Sequence, residues 1–474
     1  MARAVEYDKP GDEMLLAYIR QEAARLQRAG TPRVTSAGDW DKLRREYRRQ
    51  LLDMLGLWPM PKRTDLKPAV TGTLERKNFI VEKLHFQSLP HLYVTANLYR
   101  PRGAAGRGPA VLYLCGHAGR GRDGNKTAYQ HHAIWFATHG YVCLILDSLQ
   151  LGEIAGTHHG THGHGRWWWH SRGYTPAGVE CLNGIRAIDY LQTRGDVDAG
   201  RIAVTGRSGG GAYSFWIAAT DDRVKAAAAT SGLTDLEEYV TPAVLNGHCD
   251  CMFMYNTHRW PMTRVAELIR PRPLLYGNCD KDKLFPMAGN RRVIERLRKF
   301  YDAGGRADRV DAFVAKGRHK DAAPLRKAAF RWINRWLKGD DSPVKEPVIY
   351  PKIPGKDLRV FTGDLPADEI NTSIDRTFVP VARVKVPAGG DRVRAIRRDL
   401  LAGLRKTTFG AWPGKYPAGK LRLGAKPAAG TYATAPPIEV AYRYVPGPGR
   451  AGRGCWSCSA RATAARACRI GPAG

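Results

Sequence analysis

What this 474-residue sequence lacks narrows it first. It has no stretch of 18 consecutive apolar residues, which excludes an ordinary membrane-spanning helix, and no membrane partner is expected. The N-terminal MARAVEYDKPGDEMLLAYIRQEAARL contains no apolar run fit for a signal peptide. As written, the chain is therefore expected to work in the cytoplasm, with export open only if the true start lies upstream. Cysteines number nine, an odd count. Six of them (Cys115, Cys143, Cys181, Cys249, Cys251 and Cys279) sit in a stretch that otherwise reads as an ordinary enzyme, so no disulfide framework is expected. Acids are scarce: 44 Asp plus Glu stand against 75 Lys plus Arg, a formal net charge of +31. Beyond Gly390 only Asp391, Asp399 and Glu439 remain among many basic residues. A clustered excess of this sign would favour acidic partners, but neither a nucleic-acid-binding module nor a basic stripe interleaved with aromatics is present. A solvated basic surface, and no nucleic-acid partner, is the expectation.

What is there is apolar material in short runs. With 43% apolar residues the chain can bury at least one sizeable core. WDKLRREYRRQLLDMLGLWP, from Trp40 to Pro59, sets Leu43, Tyr47, Leu51 and Leu55 at helical spacing. NFIVEKLHF and LYVTANLY then read as an antiparallel strand pair. After Pro109 continuous apolar runs alternate with helical segments: AVLYLC, YVCLIL, IAVT, VKAAAAT, PLLYG and VDAFVAKG. Runs apolar on both faces suit strands covered by helices, hence a mostly parallel sheet. Helices are expected at 178–193, 209–219, 288–303 and 323–338. The organisation read from this is an N-terminal helical extension over 1–76, a catalytic α/β domain over 77–340, and a Pro-rich, surface-hugging linker over 341–390. An irregular extension over 391–474 follows, its tail expected to be disordered. VRAIRRDLLAGLRKTTFGAWP again carries a helical stripe and again ends in Trp-Pro, as at Trp58-Pro59. This weak repeat suggests that a second domain opens there and is truncated or frame-shifted.

The strongest chemical signal is RIAVTGRSGGGAYSFW, where an apolar strand runs into Gly206-Arg207-Ser208-Gly209-Gly210 and then into a helical pattern. G-x-S-x-G in a strand-turn-helix setting is the nucleophile elbow of the α/β-hydrolase fold. A serine hydroxyl is a weak nucleophile until a base takes its proton, and in this fold the acid and then the base follow the serine along the chain. His319, in the turn after the last strand, is the expected base. Two acids follow the strand PLLYG. Asp282 matches an acid-x-x-apolar-Pro turn through Phe285 and Pro286 and is preferred, while Asp280 remains the alternative, the unused one expected to cap the next helix or face solvent. The tetrahedral oxyanion requires two backbone donors: Gly209, after the nucleophile, and His117 or Ala118 in the glycine-rich turn LYLCGHAGRGR.

Between Leu149 and Tyr174 lies a long insertion rich in histidine and tryptophan. Trp167, Trp168 and Trp169 could stack on sugar rings, with Trp168 and Trp169 preferred, and Arg172 could hold a polar or anionic group, with buried packing an equal alternative. His158, His159, His162 and His164, like GHCDC at 247–251, fit no standard ligand spacing, and the CxxC at Cys455 and Cys458 has no second pair. No metal and no cofactor are expected.

From about Asp39 to Gly339 the chain resembles the acetylxylan-esterase-like group of α/β-hydrolases. The resemblance rests on LGLWPMPKRTDL, LYLCGHAGRG, LDSLQLGE, the HHG and WWWHSRGYTPAGVE run, TGRSGGGAYSFW, NGHCDCMFMYN and YGNCDKDKLFP. It implies a serine esterase that removes acyl, in particular acetyl, groups from a xylan-like carbohydrate. It also implies that some members carry a second hydrolase-like half. Triad chemistry alone leaves open a serine peptidase or other acyl hydrolase, and a scaffold without activity leaves open a carbohydrate-binding relative.

Overall fold

The alternating apolar runs assemble, in the computed structural model, into one nine-stranded sheet. The structure describes residues 10–29, 37–103, 106–383, 389–409, 420–423, 429–433, 438–446 and 454–459. In chain order the strands are β1 (Ala69–Glu75), β2 (Phe79–Leu89), β3 (Leu92–Pro101), β4 (Gly108–Leu114), β5 (Val142–Leu146), β6 (Val197–Arg207), β7 (Val224–Thr230), β8 (Leu274–Cys279) and β9 (Val310–Ala315). Their spatial order is β1-β2-β3-β5-β4-β6-β7-β8-β9. The first three strands and the β3–β5 junction are antiparallel, and everything from β5 to β9 is parallel. The fold is that of the α/β-hydrolases, with helices on both faces of a mostly parallel sheet.

Burial explains which elements the sequence announced. Strands β4 and β5 are buried almost throughout, so they appear as continuous apolar runs. Strand β1 alternates between half-buried and exposed positions at the sheet edge, where it pairs with β2. Its AVTGTLE has no apolar stripe, so in sequence it falls within the helical extension over 1–76. Helices Pro10–Arg28 and Ala37–Met54 do precede it. Helix Gln130–Thr138 is buried nearly all round and therefore shows no helical period. Among the described residues no helix is long and apolar enough to cross a membrane.

The segment expected to be a surface-hugging linker is packed into the catalytic unit. Val348, Ile353 and Leu358 join the core on the face that also holds Trp135, Phe136 and Phe330, and Val360 is buried as well. Gln130 and Ile353 exchange two hydrogen bonds, 2.9 and 2.8 Å, and Ile374 and Phe378 reach the core on the opposite face. Prolines keep this chain extended and let spaced apolar residues plug separate holes, a pattern without helix or strand period.

The C-terminal extension is more regular than expected. Helix Gly390–Thr407 is followed by β10 (Lys420–Leu423), β11 (Ala429–Ala433), β12 (Glu439–Pro446) and β13 (Gly454–Ser459), an antiparallel sheet in that order. Alternation such as Val440-Ala441-Tyr442-Arg443-Tyr444 supplies the strand period, hidden in sequence by flanking Ala, Gly and Pro. The second Trp-Pro, at 412–413, and the tail from 460 lie outside the described residues, as do the side chains of His162, Cys455 and Cys458.

Candidate active site

The elbow comes first because backbone geometry creates it. Ser208 stands between β6 and helix Gly209–Thr220 with φ +59° and ψ −123°, a conformation costly for a residue with a Cβ. Ser208 N–H donates to Thr230 O at 3.0 Å, holding the turn to the neighbouring strand. The flanking glycines are required by space: a Cβ on Gly206 would lie 2.4 Å from Gly210 O, and one on Gly210 would lie 1.9 Å from Leu114 O. Strand and helix thus pass close enough to lift the serine out of the turn.

His319 reaches the serine from the loop after β9. Its Nε2 lies 3.0 Å from Ser208 Oγ and its Nδ1 lies 2.7 Å from Asp282 Oδ2. The second carboxylate oxygen, Oδ1, accepts the N–H groups of Leu284 and Phe285 at 2.9 and 3.1 Å. Burial raises the Asp282 carboxyl, but the His319 hydrogen bond and charge and these two N–H donors outweigh it, leaving the group below the ordinary carboxylate range. Phe285 stacks on the His319 ring at 5.8 Å, walling the imidazole on one side. The acid-x-x-apolar-Pro turn therefore orients the carboxylate and also covers the histidine.

Asp280 stands elsewhere. Its side chain is exposed, its Oδ1 accepts the Gly317 N–H at 2.7 Å, and its own N–H donates to Ala315 O at 2.9 Å. It clasps the turn that carries His319. Capping of the next helix does not occur, since Met287–Asp302 has Pro286 at its cap position.

The glycine-rich turn lies against the nucleophile. A Cβ on Gly116 would meet Arg207 O at 2.5 Å and Ser208 Cβ at 3.2 Å, and one on Gly209 would meet His117 Nε2 at 3.1 Å. Gly209 opens its helix, whose first N–H groups and dipole favour negative charge. Ala118 follows in the same turn and packs on the neighbouring core. Burial and the neighbouring His158, His159, His248 and His319 push His117 down to about 3, so the ring beside Gly209 is neutral.

The insertion divides the predicted binding residues. Trp169 is fully buried, its ring against Gly160 and Tyr174, and it offers no face to a ligand. Its placement corrects the sugar-stacking expectation: glycine at 160 leaves a hole that only a large ring fills. Trp168 is half-buried and donates Nε1–H to Asp375 Oδ2 at 3.1 Å, beside Arg166 and Arg376. Arg172 donates to Val379 O at 3.4 Å. Both are therefore engaged by the 341–383 segment. Trp167 is the exposed ring of the three, at 62%.

Sequence reasoning missed what supports this wall. Lys126 is buried and donates to Asp147 Oδ2 at 2.7 Å and Glu153 Oε1 at 2.6 Å. Burial lowers its ammonium, but the two carboxylates outweigh it and hold it above its ordinary value. Thr95 donates to the same Asp147 oxygen at 2.6 Å, and Asn125 spans Gly116 O and Ser148 Oγ at 2.9 and 2.8 Å. Glu153 also accepts the Val360 and Phe361 N–H groups at 2.7 and 2.9 Å. The only signal was the LDSLQLGE string, whose acids are Asp147 and Glu153.

Comparison with known proteins agrees with this fold. Residues 127–308 match the model of the prolyl oligopeptidase family (Peptidase_S9), a span that holds Ser208 and Asp282 and stops short of His319. YtaP of Bacillus subtilis (strain 168), provisionally named a hydrolase, is 29% identical over 307 residues, covering 62% of this chain and all of YtaP. Among solved structures, methylesterase BT1017 superposes with a TM-score of 0.55 at 20% identity, over 82% of this chain and 80% of its own. A glucuronoyl esterase from Solibacter usitatus gives 0.52 at 17%, over 64% and 94%. A Bacteroides fragilis NCTC 9343 protein provisionally named an acetyl xylan esterase gives 0.50 at 17%, over 63% and 80%.

Proposed function

We propose that this chain, a hydrolase of the α/β-hydrolase fold, is a serine carboxylic-ester hydrolase that removes acyl groups, acetyl in particular, from a carbohydrate. The observation that carries the reading is the unbroken relay from Ser208 Oγ through His319 to Asp282, with contacts of 3.0 and 2.7 Å. Ser208 Oγ attacks the acyl carbon as His319 Nε2 takes its proton, and Asp282 stabilises the imidazolium. The Gly209 N–H and one from His117 or Ala118 receive the oxyanion. His319 returns its proton to the departing sugar oxygen, and water then releases the acid from Ser208 by the same path. The exposed Trp167 ring, in place of the buried Trp169, supplies an apolar face for a sugar.

The test is acid release by the purified protein and its Ser208→Ala variant. The panel comprises p-nitrophenyl acetate, acetylated xylan, a methyl-esterified uronan, a glucuronoyl ester and short peptide amides. Acetyl release that survives Ser208→Ala overturns the mechanism. The Peptidase_S9 match motivates the amide arm, and cleavage of peptides in preference to esters would replace the esterase reading with a peptidase. Folded protein that binds xylan without turnover would favour the carbohydrate-binding relative.

A further inference from the structure

Three loops that the fold brings together beside the nucleophile each contribute a metal-ligating side chain. His117 comes from the turn after β4, His158 from the insertion after β5, and Cys249 from the turn between β7 and β8. One ligand atom from each lies within 4.8 Å of the other two. The His117 and His158 rings are 4.8 Å apart, and His158 Nε2 is a buried atom with no hydrogen-bond partner among the described residues. Cys251, fully buried, sets its Sγ 3.2 Å from His117 Nε2. Four-coordinate zinc holds nitrogen at about 2.0–2.1 Å and sulfur at about 2.3 Å, so its ligand atoms stand roughly 3.5 Å from one another. Turning the half-buried imidazoles by about an ångström would close this cluster to that spacing.

We propose that His117, His158, Cys249 and Cys251 form a binding site for a thiophilic divalent cation of the zinc class. Two thiolates and two imidazoles select such an ion over magnesium or calcium, which take oxygen ligands. The Cys249 thiol now donates to Asp250 Oδ1 at 3.2 Å. On binding, each thiol yields its proton to solvent as its sulfur–metal bond forms. Two protons leave, the cation stays divalent, and nothing is oxidised. Asp250 already ties the insertion to this turn through its Oδ2, which accepts the Thr161 N–H and O–H, each at 3.1 Å. The cation adds a cross-link from those two loops to the turn that lies over Gly209, making it a staple for the wall of the active site. Ligand spacing along the chain gave no hint of this, because 117, 158 and 249 meet only in three dimensions.

The experiment titrates the reduced, metal-free full-length protein with Co²⁺ and then displaces it with Zn²⁺ in competition with a chromophoric chelator. The expected result is one equivalent bound per chain, with a near-ultraviolet sulfur-to-cobalt charge-transfer band. Cys249→Ser weakens the band, Cys249→Ser/Cys251→Ser abolishes it, and His158→Ala weakens Zn²⁺ by more than the roughly 100-fold that loss of an outer-shell partner costs. His164→Ala, an exposed histidine of the same insertion, retains both. Zinc raises the melting temperature of the wild type and leaves the folded Cys249→Ser/Cys251→Ser variant unmoved. The site is refuted if the wild type shows no charge-transfer band. It is equally refuted if binding survives the Cys249→Ser/His158→Ala double variant, or if only His164→Ala removes it. These readouts follow the metal and not turnover, so their failure leaves the esterase reading standing.

Discussion

The two walls of the cleft differ in how they are held. On one side, Ser208, Asp282 and His319 sit on tight turns at the carboxyl ends of β6, β8 and β9, and these turns are shaped by close neighbours in the chain and by the ends of adjacent strands, as where Asp280 clasps Gly317. On the other side, the insertion over 149–174 is shaped by partners far along the chain: Asp250, Asp375 and Val379, with Glu153 just inside it anchoring Val360 and Phe361. The first wall is local chemistry on a rigid sheet. The second is a loop clasped by buried charges and by the 341–383 segment. Rigid, locally specified elements suit the reacting atoms, and a long-range clasp suits a surface that varies with substrate.

The sharpest way to break this contrast is at the nucleophile. Ser208→Ala is expected to lower kcat for p-nitrophenyl acetate by about 10⁶-fold with an unchanged melting curve, following the loss seen when a triad acts as a unit. Next comes the acid pair. Asp282→Asn is expected to cost about 10⁴-fold in kcat, because an amide holds the wrong histidine tautomer. Asp280→Asn, which only weakens a clasp on Gly317, should cost less than about tenfold. Equal losses from the two would reverse the assignment.

The second wall is tested through stability. Lys126→Met strands Asp147 and Glu153 as buried, uncompensated acids and is expected to cost about 3–5 kcal/mol in urea unfolding. A loss below about 1 kcal/mol would mean that the wall does not depend on this ion cluster. Comparable in total is a pH effect. Burial pushes Glu180 up to about 8, partly offset by the Leu149 N–H that it accepts. Its folded value lies above its unfolded one, so its contribution is fully present below about 4.5 and is lost as pH rises through 8. Glu180→Gln should therefore gain stability over the wild type between pH 5 and pH 8, at about 1.4 kcal/mol per pH unit within that window. A difference independent of pH would show that the carboxyl does not titrate there. The smallest expected effect is Trp167→Ala: a KM for acetylated xylan raised a few-fold, about 1 kcal/mol of lost stacking, with p-nitrophenyl acetate unaffected.

Much of the first wall was legible. Strand, elbow glycines and helix are consecutive in RIAVTGRSGGG, and the order serine, acid, histidine follows the order of the strands. The choice between Asp280 and Asp282 rested on the turn through Phe285 and Pro286, in which the Leu284 and Phe285 N–H groups do hold Asp282 Oδ1. The tryptophans were less legible. Whether an indole of the WWW run stacks on a ligand or fills the core depends on the hole opposite it, and Gly160 and Asp375 lie too far away for periodicity to register. Segment 341–383 was opaque for a related reason, since extended chain that plugs isolated holes has no period to detect.

By itself the sequence determined the parallel sheet, the elbow, and the serine and histidine of the relay. Each depends on neighbours in the chain: apolar runs bury both faces, and small residues permit a turn. Only the tertiary structure decided which aspartate meets His319, which tryptophan stays exposed, what seats the linker, and that His117, His158, Cys249 and Cys251 converge. Those outcomes depend on which distant groups share a burial site, and the cost of leaving a buried polar group unpaired is set in space, not along the chain.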